Sequence, residues 1–562
     1  MKILSKSLLI SLALIFNTGI SESAVRAPKE VKNAMVASDH YLASKAGSDV
    51  LKKGGNAFDA AVATSLVLSV VRNQSTGIGG GGFMVIHTSK GEDVVIDYRE
   101  IAPHKAYKDM YLDKNNKPIP KLSTQGYKAA GVPGNLAGLD YVLKKYGTKT
   151  LKELIQPAIK FAENGFLADQ HFSASTKTIF ERGAEESVIK TFFNKNKPRE
   201  IDETIKNPQL GKTLRIIAEK GVNDFYSGSI AKKIDADMKK NGGFITFDDL
   251  KNYKPKIRIP LKGTYRGYDI ISMPPPSSGG TALLETLNIL ENFELGWNST
   301  GFGSSKHVHL VTEALKHSFS DRAEYMGDPD FVKIPLNTLI SKEHAKKISK
   351  TIDENAIKPI DTYGSKKYLP EDHGTTHYSV IDKFGNVVSA TETVNTLFGS
   401  QTVIKDTGIL MNNEMDDFSI QAGVPNSFGL IGNSNNSIQP NKKPLSSMSP
   451  TILLKNGKPF MIVGASGGPR IITGTLHAIM NVIDFGMNIE EAISSPRFHH
   501  QWSPNKLYIE KEMPEDVRNN LKVKGYELTI GNAESAVQGI LIKDGKISGA
   551  SDPRKGGFPE GY

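Results

Sequence analysis

Cysteine is absent from the 562 residues. That excludes disulfides, thiolate metal centres, iron–sulfur clusters and a cysteine nucleophile. Apolar runs of ~20 residues are also missing, so no membrane-spanning helix is expected. Arginine stripes interleaved with aromatics are missing too. Nucleic-acid binding is therefore not expected, despite a formal net charge of +10. The excess charge sits in lysine pairs such as Lys52-Lys53, Lys239-Lys240 and Lys346-Lys347, the pattern of solvated helix faces. The glycine run Gly79 to Gly82 lacks the Lys-Ser/Thr that would follow in a phosphate loop. His499-His500 has no carboxylates at ligand spacing, so no metal and no cofactor are expected.

What remains is the composition of an ordinary globular protein, 38% hydrophobic and 23% charged. The length allows several domain-sized cores, enough to fold an exported chain without disulfides. The N-terminus reads as a signal peptide over residues 1–24. Lys2 and Lys6 give a positive start, Ser7 to Phe16 a short apolar run, and small residues follow. Glu22 spoils the best small-residue cleavage pattern, so the end of the segment is set only to within a few residues. A periplasmic or secreted protein is expected.

Along the chain, His40 to Val71 reads as helix, followed by a strand leaving the glycine-rich corner and a hairpin partner at Asp93 to Tyr98. Gly134 to Asp353 reads as mainly helical, with Pro274 to Gly280 a rigid turn before a helix. Residues 355–374 are polar and aperiodic, so they read as an exposed loop. Beyond them the pattern turns β-rich. Helix-rich first part, loop, then strands gives an α+β chain with layered elements.

The segment TTHYSVIDKFGNVVSATETVN holds two β-rich runs around Asp382 to Asn386, a turn signal with glycine available for positive φ. A hairpin centred on Phe384 places Thr375 opposite Thr393. Two hydroxyls then sit side by side at a strand end, directly after a loop, and Gly374 leaves its carbonyl open to the next hydroxyl. His377, two residues further along the strand, reads as structural.

HGTTHYSV, NTLFGS, NNEMDDFS, NKKPLSSMSPT and GASGGPRIITG, taken together, resemble the small subunit of the gamma-glutamyltranspeptidases (glutathione hydrolases). TGIGGGGFMV, DYREIAP and MPPPSSGG resemble that family's large subunit. The resemblance implies an N-terminal-nucleophile hydrolase, a four-layered αββα sandwich formed by two chains after autocleavage between Gly374 and Thr375. Residues 25–374 would form the large subunit and 375–562 the small catalytic subunit, joined as a heterodimer. It implies γ-glutamyl transfer from glutathione and related amides to water or to amino acid and peptide acceptors, through an ester on Thr375. Thr393 would orient the nucleophile, and the Gly467 and Gly468 N–H groups would form the oxyanion hole. Arg99, Ser446 and Ser447 would hold the substrate carboxylate; Asn395, Glu414 and Asp417 would receive its ammonium.

Two features depart from the family pattern. Phe428 stands where many bacterial relatives carry a lid-loop tyrosine, which predicts a looser lid over 421–433. Pro469 follows Gly468, restricting that glycine. The competing readings are a β-lactam side-chain acylase on the same scaffold, which needs no Asp417, and a solute-binding protein, which would stay one chain.

Overall fold

The computed structural model describes residues 26–364, 374–421, 424, 426–427, 430, 432–532 and 534–562. The expected signal peptide and Phe428 lie outside these residues. Two seven-stranded sheets face each other. In the first, the order is Glu560–Gly561, Met35–Ser38, Gly374–Ile381, Val387–Asn395, Gly81–His87, Asp93–Asp97 and Lys256–Arg258. In the second it is Lys29–Val31, Lys546–Ser551, Ala536–Lys543, Lys458–Ser466, Thr451–Lys455, Tyr268–Ser272 and Leu261–Tyr265. Every neighbouring pair in both sheets is antiparallel.

Side-chain alternation builds the layers. Along Met35–Ser38, Val36 joins the core under the first helical layer, while Met35 and Ala37 join the core between the sheets and under the second. The Ala57–Val71 helix covers the outer face of the first sheet, and the Gly279–Leu290 and Arg470–Ile483 helices cover the second. The result is a four-layered αββα sandwich.

The sequence reading needs two adjustments. His40 to Val71 is two helices, Tyr41–Lys52 and Ala57–Val71. The break falls at Gly54, whose φ is 82°, and the second helix restarts at an Asn56/Asp59 capping box. The mainly helical span contains three strands between Lys256 and Ser272. They are short, three to five residues, and two of them close the edges of the sheets, a weak signal beside the strong helical periodicity around them.

The central hairpin has the expected register, with Thr375 opposite Thr393 and a bulge between Gly374 and Thr375. Tyr378 and Val380 point into the first helical core. His377, Ser379 and Ser389 point across to the second sheet: the Ser379 hydroxyl donates to the Gln538 carbonyl at 3.4 Å and Ser389 to that of Val463 at 3.1 Å. His377 is wedged against Gly464 of the second sheet, with Nδ1 2.8 Å from the Thr391 hydroxyl. Burial pulls its pKa down to about 3, so it is a neutral packing residue. Thr375 and Thr393 lie on this same inter-sheet face, at the end where the sandwich opens.

No helix among the described residues is long and apolar enough to cross a membrane. Because a side chain at 464 would run into the His377 ring, Gly464→Val is expected to destabilise the fold by about 2–3 kcal/mol through overpacking. Thermal unfolding checks this; an unchanged midpoint would contradict the tight inter-sheet contact.

Candidate active site

The hairpin bulge turns the Gly374 carbonyl toward two hydroxyls. Thr375 Oγ1 donates to it at 2.7 Å and Thr393 Oγ1 at 2.6 Å, and the two hydroxyl oxygens are 3.1 Å apart. Thr393 is itself fixed from behind, because the Asn395 N–H donates to its oxygen at 2.8 Å. Asn395 has φ 78°, a left-handed conformation that asparagine tolerates better than most residues. Packing requires glycine at 374: a Cβ there would collide with the Thr396 carbonyl.

Thr375 lies between two cavities. One is small and lined by Arg99, Thr393, Asn395, Glu414, Asp417, Ser446, Ser447 and Gly468. The other, of about 760 Å³, is lined by Gly467, Ser466, His171 and Lys555 among others. The catalytic and substrate-binding residues expected from the sequence thus line cavities that Thr375 also lines, Gly468 in the small one and Gly467 in the large one. These two glycines end the Lys458–Ser466 strand at φ 125° and 53° and lead through Pro469 into the Arg470–Ile483 helix. Their backbone geometry needs glycine.

In the small cavity the charges pair with one another. Arg99 Nη1 contacts Glu414 Oε1, and Nη2 contacts Asp417 Oδ2 at 2.5 Å. Its remaining donors go to the Pro444 and Leu445 carbonyls at 3.3 and 3.4 Å. Burial opposes the guanidinium charge, but Glu414, Asp417 and Glu100 outweigh it and raise the Arg99 pKa. Burial also raises the pKa of Glu414 and Asp417. One cation and several reluctant anions side by side form the complement of an amino acid zwitterion. The Ser447 hydroxyl is buried without a hydrogen-bond partner, a donor available to a ligand. Ser446 is held by Ser278, whose N–H and hydroxyl both donate to its carbonyl, at 2.8 and 2.7 Å.

The family model for gamma-glutamyltranspeptidase matches residues 43–562. The glutathione hydrolase proenzyme of Escherichia coli is 46% identical, covering 95% of this chain and 93% of its own length. The chain belongs to the gamma-glutamyltranspeptidase family. As such it is an enzyme of the glutathione hydrolase and γ-glutamyltransferase class. A Helicobacter pylori gamma-glutamyltranspeptidase structure is 49% identical over 59% of this chain and 95% of its own, with TM-score 0.57. A cephalosporin acylase from Bacillus halodurans is 28% identical, covers 98% and 99% of the two chains and has TM-score 0.86.

Three charged residues of this transpeptidase site escaped the sequence reading. Glu100, inside the DYREIAP motif, is fully buried and both its oxygens lack hydrogen-bond partners; burial pushes its pKa up to about 7. Lys555 Nζ contacts the Thr375 carbonyl, lies 3.2 Å from the Ser466 hydroxyl and pairs with Asp39 at 2.9 Å. Asp39 in turn accepts from the Thr376 hydroxyl at 2.5 Å. The strand that carries Thr375 is therefore pinned to a buried ion pair linking opposite ends of the chain. The only sequence signal was the DPRK charge run near the C-terminus, which carries no spacing rule.

Burial alone would raise the Asp39 pKa, but Lys555 and Arg72 outweigh it and hold it below the usual range. Such a group contributes stability that is complete above the unfolded value of about 3.9 and disappears as pH falls through the lowered folded value. Asp39→Asn is thus expected to lose about 3 kcal/mol at pH 7, because Lys555 is left buried without its counter-ion. The deficit should narrow below about pH 4. Melting curves across pH check this; parallel curves would contradict it.

Proposed function

We propose that the chain cuts itself between Gly374 and Thr375 and then hydrolyses or transfers the γ-glutamyl group of glutathione and related amides, with Thr375 as nucleophile in both reactions. The observation that carries this is the Gly374 carbonyl held between the Thr375 and Thr393 hydroxyls at 2.7 and 2.6 Å.

In the first reaction Thr375 Oγ1 attacks the Gly374 carbonyl carbon. Charge develops on the carbonyl oxygen, where the Thr393 hydroxyl already donates. The C–N bond breaks, the nitrogen takes a proton and becomes the α-amine of Thr375, and water hydrolyses the Gly374 ester. The amine, with a pKa of about 7.7–8.0, is then the base that a threonine hydroxyl needs. Residues 25–374 and 375–562 become the large and small subunits of a heterodimer, and residues 1–24 a signal peptide directing the enzyme to the periplasm.

In the second reaction the substrate zwitterion enters the small cavity. Its carboxylate takes Arg99, Ser446 and Ser447, a fork and two hydroxyls, while its ammonium takes Asn395, Glu414 and Asp417. Thr375 Oγ1 attacks the γ-carbonyl, its amine accepts the proton, and the Gly467 and Gly468 N–H groups receive the oxyanion. The leaving amine departs with that proton, and water or an amine acceptor then releases the γ-glutamyl group from Thr375. The anionic pair beside Arg99 favours this substrate over a glutaryl β-lactam side chain, which carries no ammonium, despite the similarity to the Bacillus halodurans acylase.

Thr375→Ala is expected to give a single uncut band on a denaturing gel, where the parent chain shows two; processing at the same bond would overturn the mechanism. Asp417→Asn should mature normally but lose roughly 10–100-fold in kcat/KM on a γ-glutamyl anilide, the size of a lost charged hydrogen bond. Parent-like kinetics would remove Asp417 from the ammonium site.

A further inference from the structure

Away from the active site, three helices on the outer face of the second sheet converge on Glu285, Asp321 and His344. These belong to the Gly279–Leu290, Ser305–Tyr325 and Lys342–Ser349 helices. His344 Nε2 lies 3.3 Å from Asp321 Oδ2 and 3.8 Å from Glu285 Oε1, and the three ligand atoms lie within 4.8 Å of one another. The Glu285 side chain is 1% exposed, and its Oε1 is buried without a hydrogen-bond partner. Among the described residues, the imidazole of His344 is the only basic group within ion-pair distance of either carboxylate. A buried carboxyl facing a second carboxylate must hold a proton or a cation, and the imidazole beside both makes the site fit for a cation.

We propose that Glu285, Asp321 and His344 bind a first-row divalent cation of the zinc class. Ligand atoms each ~2.1 Å from such an ion stand roughly 3–4 Å apart, which the two His344 distances already match. Two carboxylate oxygens and one imidazole nitrogen suit zinc or manganese better than magnesium or calcium, which prefer all-oxygen shells. The Asp321 and His344 side chains are 24% and 27% exposed, leaving a path from solvent and room for water to complete the shell. The sequence held no hint of this, because the ligands are far apart in the chain and each comes from a different helix.

The role is structural. The Glu285 helix begins at Ser278, which holds the Ser446 carbonyl. Arg322, beside Asp321, donates from Nε to the Ser278 hydroxyl at 3.0 Å. An ion clamping these helices therefore stiffens the support of the serine loop without touching substrate.

The test is zinc binding by untagged, chelator-treated protein, measured by equilibrium dialysis and calorimetry alongside thermal unfolding. The expected result is one Zn²⁺ per chain, a raised unfolding midpoint and much weaker response to Mg²⁺. His344→Gln, at a half-exposed position, and Glu285→Gln should each weaken binding by at least about tenfold. Circular dichroism confirms that both variants are folded. Absence of stoichiometric zinc in the parent protein, or undiminished binding by the folded His344→Gln variant, would overturn the proposal.

Discussion

The structure turns on one carbonyl held by two hydroxyls. The Gly374 oxygen can meet both Thr375 and Thr393 only because the hairpin register sets these threonines opposite each other and a bulge then turns the strand. A slip of one residue would send both hydroxyls into the helical core. The register is secured on one side by Tyr378, Tyr98 and Ser65, all donating to the buried Glu392 carboxylate. On the other side His377 fills the gap at Gly464. Packing across the whole sandwich therefore sets the position of a single reacting group.

Charge forms a second level of organisation around that point. Asp39 and Lys555 hold the strand that carries Thr375, with Arg72 donating to the Asp39 and Lys555 carbonyls at 2.5 and 2.8 Å. On the other side Asp97 joins Lys443 and Arg258, each at 2.6 Å, and accepts from the Arg99 N–H at 3.1 Å. This second network ties the end of the Asp93–Asp97 strand, just before Arg99, to the loop carrying Ser446 and Ser447. The small cavity is thus walled by groups that buried ion pairs hold in place, and a zwitterion entering it would exchange the Arg99 pairs with Glu414 and Asp417 for its own carboxylate and ammonium.

Much of this was legible in the sequence, for physical reasons that differ by residue. Thr375 and Thr393 were placed by local turn arithmetic, since a tight hairpin has few registers. Arg99, Asn395, Glu414, Asp417, Ser446 and Ser447 are scattered over more than 300 positions, and only the resemblance to a family could group them. Lys555 and Asp39 were missed because a buried charge pair leaves no periodic pattern and its partners lie at opposite ends of the chain; Glu100, beside Arg99, was missed because burial alone sets it apart. The break at Gly54 and the short strands between Lys256 and Ser272 were missed because a strong neighbouring helical period masks a short interruption. Arg99 as a free carboxylate fork was too simple a picture: without substrate its fork is engaged by Glu414 and Asp417.

The central claim is that one hydroxyl acts twice, first on its own chain and then on substrate. The most direct test is to react the mature protein with a γ-glutamyl electrophile and map the adduct by peptide mass spectrometry. The account predicts one adduct per light chain, on Oγ1 of a peptide whose first residue is Thr375. An adduct on any other residue, or on a peptide in which Thr375 is still joined to Gly374, would contradict it.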